Sequence, residues 1–77
     1  MVELSKLGAQ IMARREQLRL TQQDVATIVG LSDATIRFIE KGKTGVSINN
    51  WLKVVHTVGL DINLTTKKMS NEARKSI

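Results

Sequence analysis

Residues 21–42 have the sequence TQQDVATIVGLSDATIRFIEKG, and this stretch is the most informative about the fold. Its pattern predicts two short helices joined by a tight turn. Thr21 is expected to cap the first helix, which places Asp24 in the first turn at the positive end of the helix dipole. Gly30 suits the end of that helix because glycine tolerates a positive φ, and Ser32 then offers a second N-cap. The buried faces of the two helices are expected to hold Val25, Val29, Ile36 and Ile39.

A second short helix with a free polar face is typical of a helix-turn-helix, in which that helix enters the major groove of DNA. The alternative is an ordinary helical hairpin whose polar face is only solvated. The charge favours DNA, because 12 Lys and Arg against 7 Asp and Glu leave a net charge of +5 on 77 residues. A membrane surface is a competing anion, but no segment resembles a signal peptide or an apolar span of roughly 18 residues. We therefore expect a cytoplasmic chain that binds double-stranded DNA.

The composition argues against catalysis and against a bound metal or cofactor. The chain has the length of a single small domain and contains no cysteine, so neither disulfides nor thiolate metal sites are expected. His56 is the only histidine, and the glycines match no phosphate-loop or dinucleotide fingerprint. We predict no enzyme activity, no metal and no cofactor.

Two further helices are predicted outside the central stretch. The first runs from about residue 5 to residue 18 and is expected to bury Leu7, Ile11 and Leu18. Its polar side is expected to turn toward water and to hold Gln10, Arg14, Gln17 and Arg19. The last helix is predicted over residues 48–58, with Ser47 as its N-cap and Gly59 after its end.

The last helix is apolar on two neighbouring stripes. One stripe contains Ile48, Leu52 and Val55, and the other contains Trp51, Val54 and Val58. Two stripes offer more apolar surface than a single core contact needs. Trp51 therefore either completes the core or lies at a subunit contact.

Residues 41–45 form a basic, glycine-rich loop with the sequence KGKTG. Its glycines let the backbone approach a phosphate, and Lys41 and Lys43 supply positive charge there. The alternative is a solvated turn that only ends the preceding helix.

Residues 60–65, LDINLT, break the helical pattern and alternate with a period of two, which predicts a strand. No other segment offers this strand a partner, and a lone strand leaves its backbone groups unpaired. Pairing with the same strand of a second copy solves the problem, so we expect a homodimer with Leu60, Ile62 and Leu64 at its interface. Residues 1–66 would then form the domain, and residues 67–77 a basic, flexible tail. The alternative is that this tail becomes ordered on DNA or on a partner protein.

Several of these residues together resemble the lambda-repressor-like (Cro/C1, or XRE) helix-turn-helix regulators. The resemblance spans residues 7–59. It implies a mostly α bundle of about four helices. The residues that carry it are Thr21, Gln22, Ala26, Gly30, Leu31, Ser32, Ile36, Glu40 and Gly42.

This resemblance also implies roles for individual residues. An arginine of the first helix, here Arg15, pairs with Glu40 as a structural ion pair. Gln22 holds a DNA phosphate and braces the recognition helix. Base contacts come from the start of the third helix, at Ser32, Asp33, Ala34 and Arg37. The phosphate contacts expected overall are Gln22, Gln23, Thr35, Lys41, Lys43 and Ser47. Asp33 departs from the polar amide often found at its position, and Phe38 is either exposed at the groove or buried against the last helix.

Residues 58–64, VGLDINL, make the chain similar to a subgroup, the HipB-type antitoxins, which dimerise through a short C-terminal strand. This similarity implies a sequence-specific repressor that acts as the antitoxin of a HipA-like kinase toxin and represses its own operon. Two alternatives stay open. One is a free-standing repressor without a toxin, and the other is a toxin-neutralising interaction module with weak DNA readout.

Overall fold

The computed structural model of the chain describes residues 3–64 and Thr66. Within this part the chain forms four helices: α1 (Leu4–Gln17), α2 (Gln22–Val29), α3 (Asp33–Glu40) and α4 (Ile48–Thr57). The predicted mostly α bundle with a central pair of short helices is therefore confirmed. Thr65 of the predicted strand and the predicted tail, residues 67–77, lie outside the described residues.

The starts of α2, α3 and α4 are capped by the residues that the sequence predicts. At α2 the cap is reciprocal: the Asp24 N–H donates to Thr21 Oγ1 (3.0 Å), and the Thr21 N–H donates to the Asp24 carboxylate (2.8 Å). Hydrogen bonds with Thr21 lower the pKa of the Asp24 carboxyl below its ordinary value. The backbone N–H of Thr21 has the larger effect and its hydroxyl the smaller one. The hydroxyls of Ser32 and Ser47 each accept the backbone N–H three residues further on, at 3.1 and 3.2 Å.

All four helices are terminated in the same way. A residue with left-handed backbone follows the helix, and the N–H of the next residue donates a hydrogen bond to the carbonyl five residues before it. The left-handed residues are Arg19, Gly30, Gly42 and Gly59, with φ between 58° and 75°. The bonds, 2.9 to 3.1 Å long, run from Leu20 to Arg15, from Leu31 to Ala26, from Lys43 to Phe38 and from Leu60 to Val55. The fourth-helix end at Gly59 is thus confirmed. Arg19 is the one left-handed residue of the described part that is not glycine.

The core lies where α3 packs against α1 and α2, and where α2 packs against α4. Its buried residues are Ile11, Val25, Ala26, Ile36, Ile39, Trp51, Val54, Val55 and Val58. Gly8 is buried where α1 crosses the end of α3, and a Cβ there would lie 2.4 Å from the Ile39 carbonyl oxygen. The two backbones therefore touch, which only glycine allows.

Two predictions for α1 are wrong. Leu18 is 40% exposed, because α1 ends at Gln17 and the left-handed turn at Arg19 brings Leu20 to the core instead. Arg14 does not simply face water. It is half-buried and donates from Nε to the Val58 carbonyl at 3.0 Å, where it satisfies a free carbonyl at the end of α4.

The two predicted stripes of α4 reduce to one. Trp51, Val54, Val55 and Val58 are buried, but Ile48 is 65% exposed because it opens the first turn at the edge of the buried stripe. Leu52 is half-buried at the same edge. Trp51, at 4% exposure, belongs to the core of the single chain. Its assignment to the dimer interface is therefore corrected, because almost none of its surface is left for a second subunit.

After α4 the chain returns toward α1. Leu60 and Ile62 pack against the core, and Leu64 is 96% exposed. A cavity of about 50 Å³ opens here, lined by Leu7, Gln10, Ile11, Val55, Leu60, Asp61 and Ile62. The Leu60 N–H is already bound to the Val55 carbonyl, so this N–H is not available to a strand ladder. The predicted strand needs a second copy to pair with and stays a prediction.

Candidate nucleic-acid interface

The outer face of α3 carries the exposed side chains of Asp33, Arg37 and Phe38, with Ala34 half-buried among them. The opposite face consists of Ile36 and Ile39, which have no exposed surface, and of the buried Glu40. In the described part of the chain, Arg37 takes part in no ion pair. The helix therefore presents a free guanidinium to the surroundings on a face that the core does not use. We refer to Asp33, Ala34, Arg37 and Phe38 as the α3 face.

Ser32 and Thr35 are linked at the start of α3. Besides capping the Thr35 N–H, the Ser32 hydroxyl lies 2.9 Å from the Thr35 hydroxyl. Both hydroxyls are engaged with each other, and Ser32 is exposed while Thr35 is half-buried. Each hydroxyl still has capacity for a further hydrogen bond, so the arrangement is compatible with the base contact predicted for Ser32 and the phosphate contact predicted for Thr35.

The end of α3 is held by an ion pair between α1 and α3. Arg15 Nε donates to Glu40 Oε2 at 2.7 Å and Nη2 donates to Oε1 at 3.1 Å, so the guanidinium grips both carboxylate oxygens. A third donor, Nη1, binds the Leu20 carbonyl at 2.8 Å. Hydrogen bonding to Glu40 raises the pKa of the Arg15 guanidinium above its ordinary value. Because Glu40 is only 7% exposed, its negative charge needs the Arg15 guanidinium to compensate for the lost hydration. The pairing that the family resemblance implied is present.

Gln22 takes part in the same network. Its side-chain nitrogen donates to Glu40 Oε1 at 3.2 Å, so the first residue of α2 is tied to the last residue of α3. An amide nitrogen carries two N–H groups, which leaves one for the phosphate contact predicted for Gln22. This bond to Glu40 agrees with the bracing role that the family resemblance implies for Gln22.

The basic loop follows α3 directly. Lys41 and Lys43 are exposed, and the Lys43 ammonium lies over the Phe38 ring, 5.4 Å from its centroid. Gly42 between them is left-handed, and a Cβ there would lie 2.2 Å from the Ser5 nitrogen. The loop is therefore fixed against the start of α1, with both lysines on the outside. Phe38, which sequence reasoning left open, is 44% exposed.

The remaining predicted phosphate contacts lie at helix starts. Gln23 is exposed in the first turn of α2, and Ser47 is exposed as the N-cap of α4. The first N–H groups of a helix point outward and attract anions, so both positions have the polarity that a phosphate requires.

Two other kinds of function find no support in the described residues. Residues 3–64 and Thr66 contain no group of three or more His, Cys, Asp or Glu side chains that could hold a metal ion. His56 instead lies 3.3 Å from Asp61 on the surface. Among the helices described, none is long and apolar enough to cross a membrane.

A short helix braced at its end by a buried ion pair, following a capped helix and a left-handed glycine, defines a helix-turn-helix protein. The helix-turn-helix family model HTH_3 matches residues 11–64, more than two thirds of the chain. The chain belongs to this family, whose members are DNA-binding regulators rather than enzymes.

Solved structures with the same fold include those described as "MDT Protein", "Structure of HipA-HipB-O2-O3 complex" and "HipB-O4 20mer complex". Their TM-scores are 0.78, 0.78 and 0.77, and each is 22% identical to this chain. Each comparison covers 88% of this chain and 96% of the other. At this identity the likeness shows a HipB-like fold. No curated protein matches the chain.

Proposed function

We propose that the protein is a homodimeric, sequence-specific DNA-binding repressor, and that it is the antitoxin of a HipA-like kinase toxin. The observation that carries the DNA-binding part is the state of Arg37. It stands exposed on α3 without an ion-pair partner in residues 3–64, whereas Arg15 is paired with Glu40. A planar guanidinium that is free on the outer face of α3, the second helix of the helix-turn-helix, can donate to the O6 and N7 atoms of a guanine.

The other base contacts follow from the chemistry of the α3 face. Ala34 is small enough to meet a thymine methyl group, and Asp33 accepts from the amino group of a cytosine. Ser32 contributes its hydroxyl at the first position of the face. These three contacts surround Arg37, which supplies the main discrimination.

The phosphate contacts flank this face. Lys41 and Lys43 bring charge after α3, and Gln22 brings its second amide N–H from the start of α2. Gln23, Thr35 and Ser47 supply polar groups at helix starts. Such contacts set the register of the protein on DNA, while the base contacts select the sequence.

The homodimer rests on the segment after α4. Leu60 and Ile62 are anchored to the core, while Leu64 is almost fully exposed. Pairing of this segment with its copy would cover Leu64 and place two α3 faces on successive major grooves, about 34 Å apart.

The antitoxin role is supported by the HipB-like fold, because one structure of that fold is described as a HipA-HipB-O2-O3 complex. A free-standing repressor with the same DNA chemistry is the nearest alternative. A second candidate function is a toxin-neutralising interaction module with weak DNA readout. Asp33 favours it, because this exposed carboxylate on the α3 face repels phosphates.

Selection of duplexes from a random library by the full chain tests the DNA-binding part. We expect a two-fold symmetric sequence to be enriched and to bind at least about 10³-fold more tightly than random duplex at physiological salt. Affinity for both should fall as salt rises, since both use the phosphate contacts. Equal affinity for selected and random duplex would exclude sequence-specific repression and favour the interaction module.

Capture of the tagged chain from its own host, after crosslinking, tests the antitoxin part. Recovery of a kinase together with operator DNA would support an antitoxin that represses its operon. Recovery of DNA without a kinase would contradict the antitoxin role and leave a free-standing repressor.

A further inference from the structure

We infer that Phe38 is a specificity-determining residue, and that its ring contacts the C5 methyl group of a thymine in each operator half-site. This inference rests on the proposed function, because it adds a base contact to the same α3 face. It names the chemical group that the face reads, which neither the fold nor the family assigns.

The position of Phe38 shows that the core does not need its ring. Phe38 is 44% exposed, whereas its neighbours in the helix at Ile36 and Ile39 have no exposed surface. It lies one turn after Ala34 and next to Arg37, so it extends the α3 face on the side of Ala34. A large apolar ring kept outside, beside the residue expected to read guanine, is well placed for contact with bases.

The Lys43 ammonium restricts what can cover this ring. It lies over the ring at 5.4 Å from the centroid, and the Lys43 N–H donates to the Phe38 carbonyl at 2.9 Å. An apolar protein surface laid on the ring would have to strip water from this ammonium without offering it a counter-charge. DNA offers both requirements side by side, because apolar base edges in the groove lie beside phosphates. A nucleic acid therefore fits this pair better than a protein partner does.

The chemistry of the major groove identifies the group. Its base edges present hydrogen-bond donors and acceptors, and the C5 methyl group of thymine is the apolar group that projects among them. Phe38 carries no donor or acceptor, so this methyl group is the one feature of a B-form major groove that its ring can select. Ala34 on the same side of α3 is also apolar, and together they make an apolar strip next to Arg37.

Replacement of single thymines by deoxyuridine in the selected duplex tests this contact, since it removes only the methyl group. At one thymine in each half-site we expect the affinity of the wild-type chain to fall about fourfold, the effect of burying one methyl group. Phe38→Ala should bind the thymine and deoxyuridine duplexes equally. Ile28→Ala is the matched control, because Ile28 is an apolar residue of α2 with 61% exposure, and it should keep the full methyl effect.

A second variant protects the test against loss of folding. Phe38→Gln keeps a long side chain with good helix propensity but lacks the apolar ring, so it too should lose the methyl effect. If no thymine shows a methyl effect with the wild-type chain, or if Phe38→Ala or Phe38→Gln retains it, the inference is wrong. A selection that enriches no duplex at all would instead overturn the proposed function and this inference together.

Discussion

Glu40 is a charged residue that is buried next to the apolar core. Only 7% of it is exposed, and its carboxylate accepts hydrogen bonds from Arg15 and Gln22. Each donor comes from a different helix, so this single side chain joins the ends of α1, α2 and α3. A buried carboxylate contributes to specificity of packing only while its partners are present.

Removal of Arg15 should therefore be severe. We expect Arg15→Ala to lower the free energy of unfolding by about 3–5 kcal/mol, because it leaves the Glu40 carboxylate buried without its cation. A domain of this size has about 4–12 kcal/mol in total, so the variant should be close to unfolding at 25 °C. Urea denaturation measures the change. Arg37→Ala is the control and should change stability by less than about 0.5 kcal/mol, since its side chain is exposed. A loss below 1 kcal/mol in Arg15→Ala would contradict the bracing role.

Replacement of Arg37 and replacement of Lys43 should have different effects on DNA affinity. Arg37→Ala should cost about 1–3 kcal/mol on the selected duplex and relax the preference at one base pair. Lys43→Ala should weaken binding to selected and random duplexes alike. It should also reduce by about 1 the slope of the logarithm of the binding constant against the logarithm of the salt concentration. Fluorescence anisotropy titrations across a range of salt concentrations separate the two effects.

Lys53→Ala is the control for lost charge, because Lys53 is exposed on α4 away from its N-terminus. It should leave the preference for the selected duplex intact. If Arg37→Ala weakened selected and random duplexes equally, Arg37 would be a phosphate contact and not a base reader.

At the scale of elements, the helix ends follow local rules. Three helices are followed by a left-handed glycine, but α1 is followed by Arg19 with φ 58°. A residue with a Cβ is strained in this region, whereas glycine is not. The bond from the Leu20 N–H to the Arg15 carbonyl nevertheless forms at 3.1 Å, so the rest of the turn holds Arg19 in place.

This strain predicts a stabilising substitution. Arg19→Gly should raise the free energy of unfolding by about 0.5–1 kcal/mol, because glycine adopts the left-handed conformation without the Cβ penalty. Gly30→Ala is the converse and should lower it by about 1 kcal/mol, since nothing lies within 4 Å of the added Cβ and only the backbone responds. Urea denaturation of both variants checks the signs. A destabilised Arg19→Gly would mean that contacts of the arginine outweigh the strain.

The cap of α2 predicts a dependence on pH. The pKa of Asp24 is lowered from 3.8 by its bonds to Thr21, so the folded state binds its proton less readily than the unfolded state. The carboxylate therefore stabilises the fold above pH 3.8, and this contribution is lost as the pH falls through the lower folded value. Asp24→Asn should thus be less stable than wild type at neutral pH, with a gap that closes in acid. Thermal unfolding across the acid range measures the gap, and a gap independent of pH would contradict the cap.

At the scale of the whole molecule, the single chain leaves Leu64 96% exposed next to the anchored Ile62. We expect the wild-type protein to be a dimer at micromolar concentration and Leu64→Asp to be a monomer with unchanged helix content. The charge would have to be buried in the paired segment, whereas in the monomer it costs nothing. Sedimentation and circular dichroism measure the two properties.

Asn63→Asp is the matched control, because it adds the same charge one residue away, on the opposite face of an extended segment. It should remain a dimer. A wild-type protein that sediments as a monomer at micromolar concentration would contradict the dimer.

Sequence patterns predicted the elements of this fold better than the environment of single side chains. The caps at Thr21, Ser32 and Ser47 were readable because each involves a hydrogen bond to a residue three positions away. The surroundings of Leu18 and Ile48 were misjudged, because periodicity does not show where a facing helix ends. The pairing of Arg15 with Glu40 came from a family resemblance, not from spacing, since 25 residues separate them.

Local sequence was enough to predict the four helices, the caps of α2, α3 and α4 and the glycines after those three helices, because these depend on interactions within about six residues. Which surfaces remain available for binding depends on the tertiary structure. It buried Trp51 in the core, engaged Arg14 with a carbonyl 44 residues away and left the Phe38 ring outside beneath Lys43. The reason is that exposure depends on partners from distant parts of the chain, whose positions a local pattern does not contain.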